Sequence, residues 1–179
     1  MTATTLRTAR MRLDPATHAD LDALHRLWNA PAVRRFLFDD RDVDRALAGR
    51  VLQDILDAAP TGHALWMLRP SDATQAIGCA GLVPVSTAAD HAPDLAGCTE
   101  VLAALDPAHW GRGYAVEAVR TLCAHAFDTL RLDRVVGVAD APNVRSARML
   151  EAAAFEFDRV IPGPAHPLRL YRRNRSATR

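Results

Sequence analysis

The sequence predicts a single mixed α/β domain, and three observations carry that expectation. Its 179 residues suit one domain with one core. Apolar residues recur at helical spacing through the first third of the chain, then switch to short strand-like runs. Strand-like and helix-like segments alternate from there to the end, with no internal repeat and no linker between them. The domain is expected to cover residues 1–179, with its core over about 6–174.

Leu6 to Leu13 reads as an opening strand, in which Leu6, Met11 and Leu13 alternate among arginines, closed by Asp14-Pro15. Thr17 is placed as an N-cap, with Asp20 three residues on as its acidic partner. Leu21, Leu24, Leu27 and Trp28 then mark an amphipathic helix from Thr17 to Asn29. Pro31 suits the first position of a short second helix carrying Val33, Phe36 and Leu37. A third helix, capped by Asp42, shows Ala46, Leu47, Val51, Leu52, Ile55 and Leu56 on one face and ends before Pro60.

His63 to Leu68 and Ala76 to Val85 read as adjacent strands joined by a polar turn. Ser86 to Gly97 reads as a surface loop, and Thr99 to Leu105 as a strand stopped by Asp106-Pro107. Gly111 to Gly113 leads into a strongly periodic helix. Val116, Val119, Cys123, Phe127 and Leu130 form its inner side, and Arg120, His125 and Asp128 its outer side. Arg134 to Ala139 is a short apolar strand, and Asn143 starts a helix ending near Ala154. Phe155 to Ile161 and Leu168 to Tyr171 complete the order as two strands, with the arginine-rich tail after Arg172 frayed.

Bulk composition narrows the function classes. A hydrophobic content of 49% and a charged content of 24% belong to a folded globular chain. A net charge of +1 supplies no field that would draw nucleic acid or a membrane. All 22 basic residues are arginine, so no lysine is present for Schiff-base chemistry. Cys79, Cys98 and Cys123 make no paired framework, which points to reduced thiols and a cytoplasmic setting. No apolar run reaches the roughly 18 residues of a membrane span. The histidines share no metal-ligand spacing, so no metal is expected. A serine hydrolase lacks its G-x-S-x-G here.

The segment that carries chemistry is Trp110-Gly111-Arg112-Gly113-Tyr114-Ala115-Val116-Glu117-Ala118, between a strand and a helix. Two glycines let backbone approach a ligand closely, and the helix start offers free N–H groups and the positive end of its dipole. Together they make a pyrophosphate cradle. The plainer reading is a tight strand-to-helix turn without a ligand. The string is neither a P-loop nor G-x-G-x-x-G.

Glu100-Val101-Leu102, this W-G-x-G-Y-A-x-E-A string, Asn143-Val144-Arg145-Ser146 and Ala154-Phe155 together resemble the GNAT N-acetyltransferase superfamily. The branch they look like is the RimJ/RimL type, which acetylates ribosomal-protein N-termini. The resemblance covers nearly the whole chain and implies a GNAT fold. That fold has a mixed, mostly antiparallel sheet of six to seven strands, splayed between strands 4 and 5 and flanked by helices. It implies transfer of an acetyl group from acetyl-CoA to a primary amine, a protein N-terminus or a small molecule, by direct attack in a ternary complex. By the same resemblance Gly111, Arg112, Gly113, Tyr114, Ala115 and Val116 hold the coenzyme A pyrophosphate, and Asn143 bonds the pantetheine arm. The backbone of Val101 or Leu102 supplies an N–H to the developing oxyanion.

Glu100 is then the candidate base and Ser146 the candidate partner of the leaving sulfur. The plainer alternatives are a solvated strand carboxylate or arginine partner for Glu100, and a helix-surface serine for Ser146. Glu117 is read as electrostatic support for the helix start. Several departures from the family pattern are visible in the chain. Trp110 stands where the superfamily has Gln or Arg, and Leu150 where many members carry a tyrosine acid. The aromatics that often follow the strand glutamate are lost, and Ala154 replaces a glycine, a cost of about 1 kcal/mol where φ must be positive. His109, His166 and Tyr171 could line the acceptor channel. The expected assembly is a monomer or homodimer. A non-catalytic acyl-CoA-binding sensor or scaffold would show the same cradle, and a nucleotide-binding protein with an unrelated phosphate loop is a third possibility.

Overall fold

Eight strands form one sheet in the order β1-β2-β3-β4-β5-β6-β8-β7. The computed structural model describes residues 3–85 and 87–176. The strands are β1 Leu6–Arg7, β2 Met11–Pro15, β3 Ala64–Pro70, β4 Gly78–Pro84, β5 Thr99–Leu105, β6 Arg134–Asp140, β7 Glu156–Ile161 and β8 Leu168–Asn174. Every neighbouring pair is antiparallel except β5 and β6, which run parallel. The helices are α1 Leu21–Trp28, α2 Pro31–Leu37, α3 Arg45–Asp57, α4 Thr87–His91, α5 Tyr114–Asp128 and α6 Val144–Ala152.

The strand count exceeds the expected six to seven because the opening segment is a hairpin of two strands. Thr8 closes its tip: the Thr8 N–H donates to the Met11 carbonyl at 2.9 Å, and the Thr8 hydroxyl oxygen accepts from the Met11 N–H at 2.9 Å. This explains why alternation is clear only near Leu13. The third helix is capped by Asp44, not Asp42: its carboxylate accepts from the Leu47 N–H at 2.7 Å. Asp42 instead pairs with Arg34. Thr17 does begin a helical turn, and Asp20 accepts from both its N–H and its hydroxyl. Pro31 stands at the start of α2 as expected.

Part of the expected loop after β4 is helical. Ala88 and Ala92 lie four apart on one side and, with Leu95, bury against Val136, Leu168 and Leu170. That small cluster covers the β6–β8 end of one sheet face. On the same face α1 and α3 pack over Leu65, Met67, Cys79 and Ala104. The opposite face, with Leu13, Trp66, Leu82, Val101, Val135 and Tyr171, is covered by α5 and α6. His125 of α5 is half-buried, not outward: its ring meets Trp66 edge-on at 5.8 Å. The segment after Arg172 also stays in the sheet, because Arg172, Arg173 and Asn174 continue the pairing with β6.

A candidate active site where two strands part

Parallel strands leave a sheet with evenly spaced ladders when they run together. Here, among the described residues, β5 and β6 meet at a single register position, Glu100 opposite Val136. Beyond it the strands separate, and each leads to a helix start at the same end of the sheet. Because successive N–H groups of a strand point to opposite neighbours, Val101 and Leu102 differ in direction. One N–H is taken by β4, to which both are paired, and the other faces the opening.

The loop from β5 to α5 turns on two glycines, Gly111 at φ 74° and Gly113 at φ 78°. A side chain at either would sit in the left-handed region that L-residues avoid. A Cβ added at Gly111 would meet nothing within 4 Å, so the backbone is open to approach there. Gly113 is the N-cap of α5 and has no side chain to cap it. The first intrahelical bond runs from Glu117 N–H to Gly113 O at 3.0 Å. The N–H groups of Tyr114, Ala115 and Val116 therefore have no partner within the helix. Free N–H groups at a helix start are of the kind that bind anions.

Trp110 anchors the other end of the loop. Its indole N–H donates to the Leu105 carbonyl at 2.8 Å, and the Arg145 guanidinium lies 4.2 Å from its ring centroid. Arg145 belongs to α6, so this cation–π contact spans the two arms of the opening. Glu117 is braced by Arg10 from the hairpin tip, with contacts of 2.7 Å from Nε and 2.6 Å from Nη2. Burial alone would raise the Glu117 carboxyl. Hydrogen bonds from Thr8 and Arg10, with the Arg10 charge, outweigh it and hold the group below its ordinary range. Glu117 in the first turn of α5 is thus held by an arginine that no local signal announced.

At the second arm Asn143 is the N-cap of α6, and its side-chain oxygen accepts from the Ser146 N–H at 3.2 Å. Ser146 is half-buried on the first turn. Leu150 is 1% exposed, packed over Gly137 so tightly that a Cβ there would lie 2.5 Å from a Leu150 methyl. Position 150 is therefore a core position. Ala154 does adopt the left-handed conformation, φ 65°, that the sequence flagged.

Glu100 has the most altered acid in the opening. Loss of water around its carboxyl pushes it up to about 7. Strand alternation places Val136, Val138 and Asp140 on the face that Glu100 shares. Asp140, 8% exposed at the end of β6, was not singled out in the sequence. Burial raises its carboxyl most; nearby His166 lowers it and Asp39 raises it further. His166 is within charge range of Asp140, whereas Tyr171 is core, 1% exposed, with its hydroxyl 3.3 Å from Glu151. His109 has a buried Nδ1 with no hydrogen-bond partner among the described residues.

Parted strands with an uncapped glycine helix start at their mouth are the arrangement that the resemblance leads one to expect of an acetyltransferase fold. The model of the GNAT acetyltransferase domain matches residues 10–156. The chain belongs to that family. It is 27% identical over 158 residues to an uncharacterized N-acetyltransferase, p20, of Bacillus licheniformis, across 88% of this chain and 85% of that one. An acetyltransferase from Agrobacterium tumefaciens superposes with a TM-score of 0.80 at 26% identity, over 98% of this chain and 96% of that one. RimL, a ribosomal L7/L12 α-N-protein acetyltransferase in complex with coenzyme A, shares the fold at 0.76 and 14% identity, over 95% and 97%. A spermidine N-acetyltransferase from Vibrio cholerae, with coenzyme A and spermine, does so at 0.73 and 14%, over 92% and 95%. Among the described residues no helix is long and apolar enough to cross a membrane.

Proposed function

We propose that the chain acts as one acetyltransferase domain, transferring the acetyl group of acetyl-CoA to a primary amine by direct attack in a ternary complex. The observation that carries this reading is the parting of β5 and β6 beyond Glu100–Val136, with the bare start of α5 at its mouth. Gly111, Arg112, Gly113, Tyr114, Ala115 and Val116 hold the pyrophosphate through backbone N–H groups. Asn143 and the inner edge of β5 hold the pantetheine arm. Val101 or Leu102 gives its N–H to the thioester oxygen as charge develops there.

Most of an amine pool is protonated at neutral pH. Glu100, with its carboxyl pushed up to about 7, is matched to take that proton, directly or through water. The amine then adds to the carbonyl, the C–S bond breaks, and the nitrogen's remaining surplus proton passes to the sulfur, which departs as the coenzyme A thiol beside the Ser146 hydroxyl and the positive end of α6. No acyl-enzyme is needed. Cys79 and Cys123 are poor nucleophiles, since burial pushes their thiols up to about 12 and about 11. Glu100 and Asp140 on the acceptor face suit a cationic acceptor. Acceptors known from the fold's other members include a ribosomal protein terminus and a polyamine. Incubation with acetyl-CoA and a panel of peptides, polyamines and aminoglycosides, read by free thiol and product mass, tests the reading. Binding of acetyl-CoA with no amine acetylated would make the chain a sensor instead.

A further inference from the structure

We propose that Arg10 is a positioning residue for the pyrophosphate cradle, acting from the β1–β2 hairpin on a loop about a hundred residues away. The inference rests on the acetyl-CoA reading above. Four contacts converge on this one side chain. Its Nη1 donates to the Arg112 carbonyl at 3.0 Å, and its guanidinium carbon lies 4.6 Å from the Tyr114 ring centroid. Nε and Nη2 donate to Glu117 at 2.7 and 2.6 Å, and its backbone N–H donates to the other Glu117 oxygen at 2.9 Å. Arg10 therefore grips the residue between the two glycines, the first residue of α5 and the carboxylate of its first turn.

The grip has a directional consequence. In a trans peptide the carbonyl and the following N–H point opposite ways. The Arg112 carbonyl is turned toward Arg10, so the Gly113 N–H is turned away from it, and that N–H has no backbone partner among the described residues. With left-handed Gly113 on one side of it, that peptide plane would otherwise rotate at lower steric cost than between two residues that carry side chains. The grip also has an electrostatic consequence. Glu117 is an anion in the first turn of the helix meant to receive an anion, and pairing with Arg10 cancels its repulsion. An ion pair whose arginine is 47% exposed contributes little to global stability. Its removal should thus be felt at the cradle more than in the fold.

The test compares wild type, Arg10→Ala and Arg10→Lys by thermal melting, calorimetric titration with coenzyme A, and steady-state kinetics. Lysine keeps the charge but lacks the fork that holds Arg112 and Glu117 together. Arg10→Ala should weaken coenzyme A roughly ten- to a hundredfold, raise the KM for acetyl-CoA in step, and leave kcat at saturation within about threefold. Arg10→Lys should recover part of the affinity. Unchanged coenzyme A affinity in Arg10→Ala, beside a wild type that binds, would overturn the role of Arg10 and leave the acetyl-CoA reading standing. So would equal losses in kcat and affinity that track a lowered melting point in both variants. A wild type that binds no coenzyme A would overturn the reading itself, and this inference with it.

Discussion

The two helix starts at the mouth of the opening are built in opposite ways. At α6 the sequence satisfies its own backbone. Asn143 takes the Ser146 N–H through its side chain, and the Val144 N–H reaches the Pro142 carbonyl at 3.0 Å. At α5 a glycine holds the cap position, and the N–H groups of Tyr114, Ala115 and Val116 are left without a helical partner. A capped start stabilises a fold, whereas a bare start beside an open cleft leaves N–H groups that suit the anion proposed for it. The same contrast extends to what surrounds each start. The bare one is braced from outside by Arg10 and Trp110, because glycines cannot hold their own shape.

Filling the bare start should act most strongly. Coenzyme A at about 100 times its dissociation constant should stabilise the wild type by about 2.7 kcal/mol. Gly113→Asp should remove that response, since its Cβ would lie 3.5 Å from Arg10 Nη2, where the carboxylate puts a negative charge at the helix start and competes with Arg112 and Glu117 for Arg10. The substitution also forces a side chain to φ 78°, a strain of about 1–2 kcal/mol in the ligand-free protein. Thermal melts with and without coenzyme A separate the two effects. A mutant that is strained yet still gains the wild-type increment would show that the bare start is only a turn.

Glu100 sits between the two arms, and its substitution should act on rate and stability in opposite directions. As the base, it should cost roughly a hundredfold in kcat when changed to glutamine, with coenzyme A affinity intact. Wild-type kcat should fall as pH drops through about 7, where the carboxyl takes up its proton. The stability sign follows from the same raised group. The folded chain binds that proton more tightly than the unfolded chain, so stability is lost as pH rises from the unfolded value toward about 7. Glutamine mimics the neutral acid. Glu100→Gln should therefore be more stable than wild type at pH 8, by an order of 1–3 kcal/mol, and equal to it near pH 4. A loss of stability at pH 8 would mean that the carboxylate has a charged partner.

What the sequence made legible follows the range of the interactions concerned. Pro31 at a helix start, Asn143 as a cap, and Gly111 and Gly113 as a strand-to-helix turn all act within four residues, and local chemistry announces them. The left-handed Ala154 belongs to the same group. Asp44 was displaced to Asp42 because two aspartates two apart offer the same capping group, and only the helix axis chooses between them. The hairpin split at Thr8, the α4 turn and the half-buried His125 depend on what packs against them. Arg10 was silent for the strongest reason: its partners Arg112 and Glu117 are 102 and 107 residues away. Asp140 acquires its raised acid only through burial at the end of a strand, which no spacing records.

On the capped side the Ser146 N–H serves the fold, while its hydroxyl is the group proposed for chemistry. Leu150 lies in the core over Gly137, and the Ser146 hydroxyl is the group proposed above to meet the departing thiolate. Ser146→Ala should slow single-turnover acetyl transfer by about ten- to a hundredfold, or about 1.4–2.7 kcal/mol of transition-state stabilisation. Melting should barely change, because alanine keeps the backbone N–H that Asn143 accepts. Wild-type rates in the variant would return Ser146 to a helix-surface serine.

The smallest expected effect isolates the cap itself. Asn143→Ala removes the acceptor of the Ser146 N–H, and a lost N-cap typically costs about 1 kcal/mol. For a chain of this size that corresponds to about 2–4 °C in melting temperature. The informative quantity is how this loss depends on coenzyme A. If Asn143 serves only the backbone, the loss is the same with and without ligand. Because Asn143 is also assigned to the pantetheine arm, the loss should grow when coenzyme A is present, through a weaker dissociation constant. Equal losses in both conditions would confine Asn143 to capping and leave the pantetheine arm to the edge of β5. A ligand-dependent excess would show that the capped start, too, faces the substrate, and that one asparagine serves both purposes.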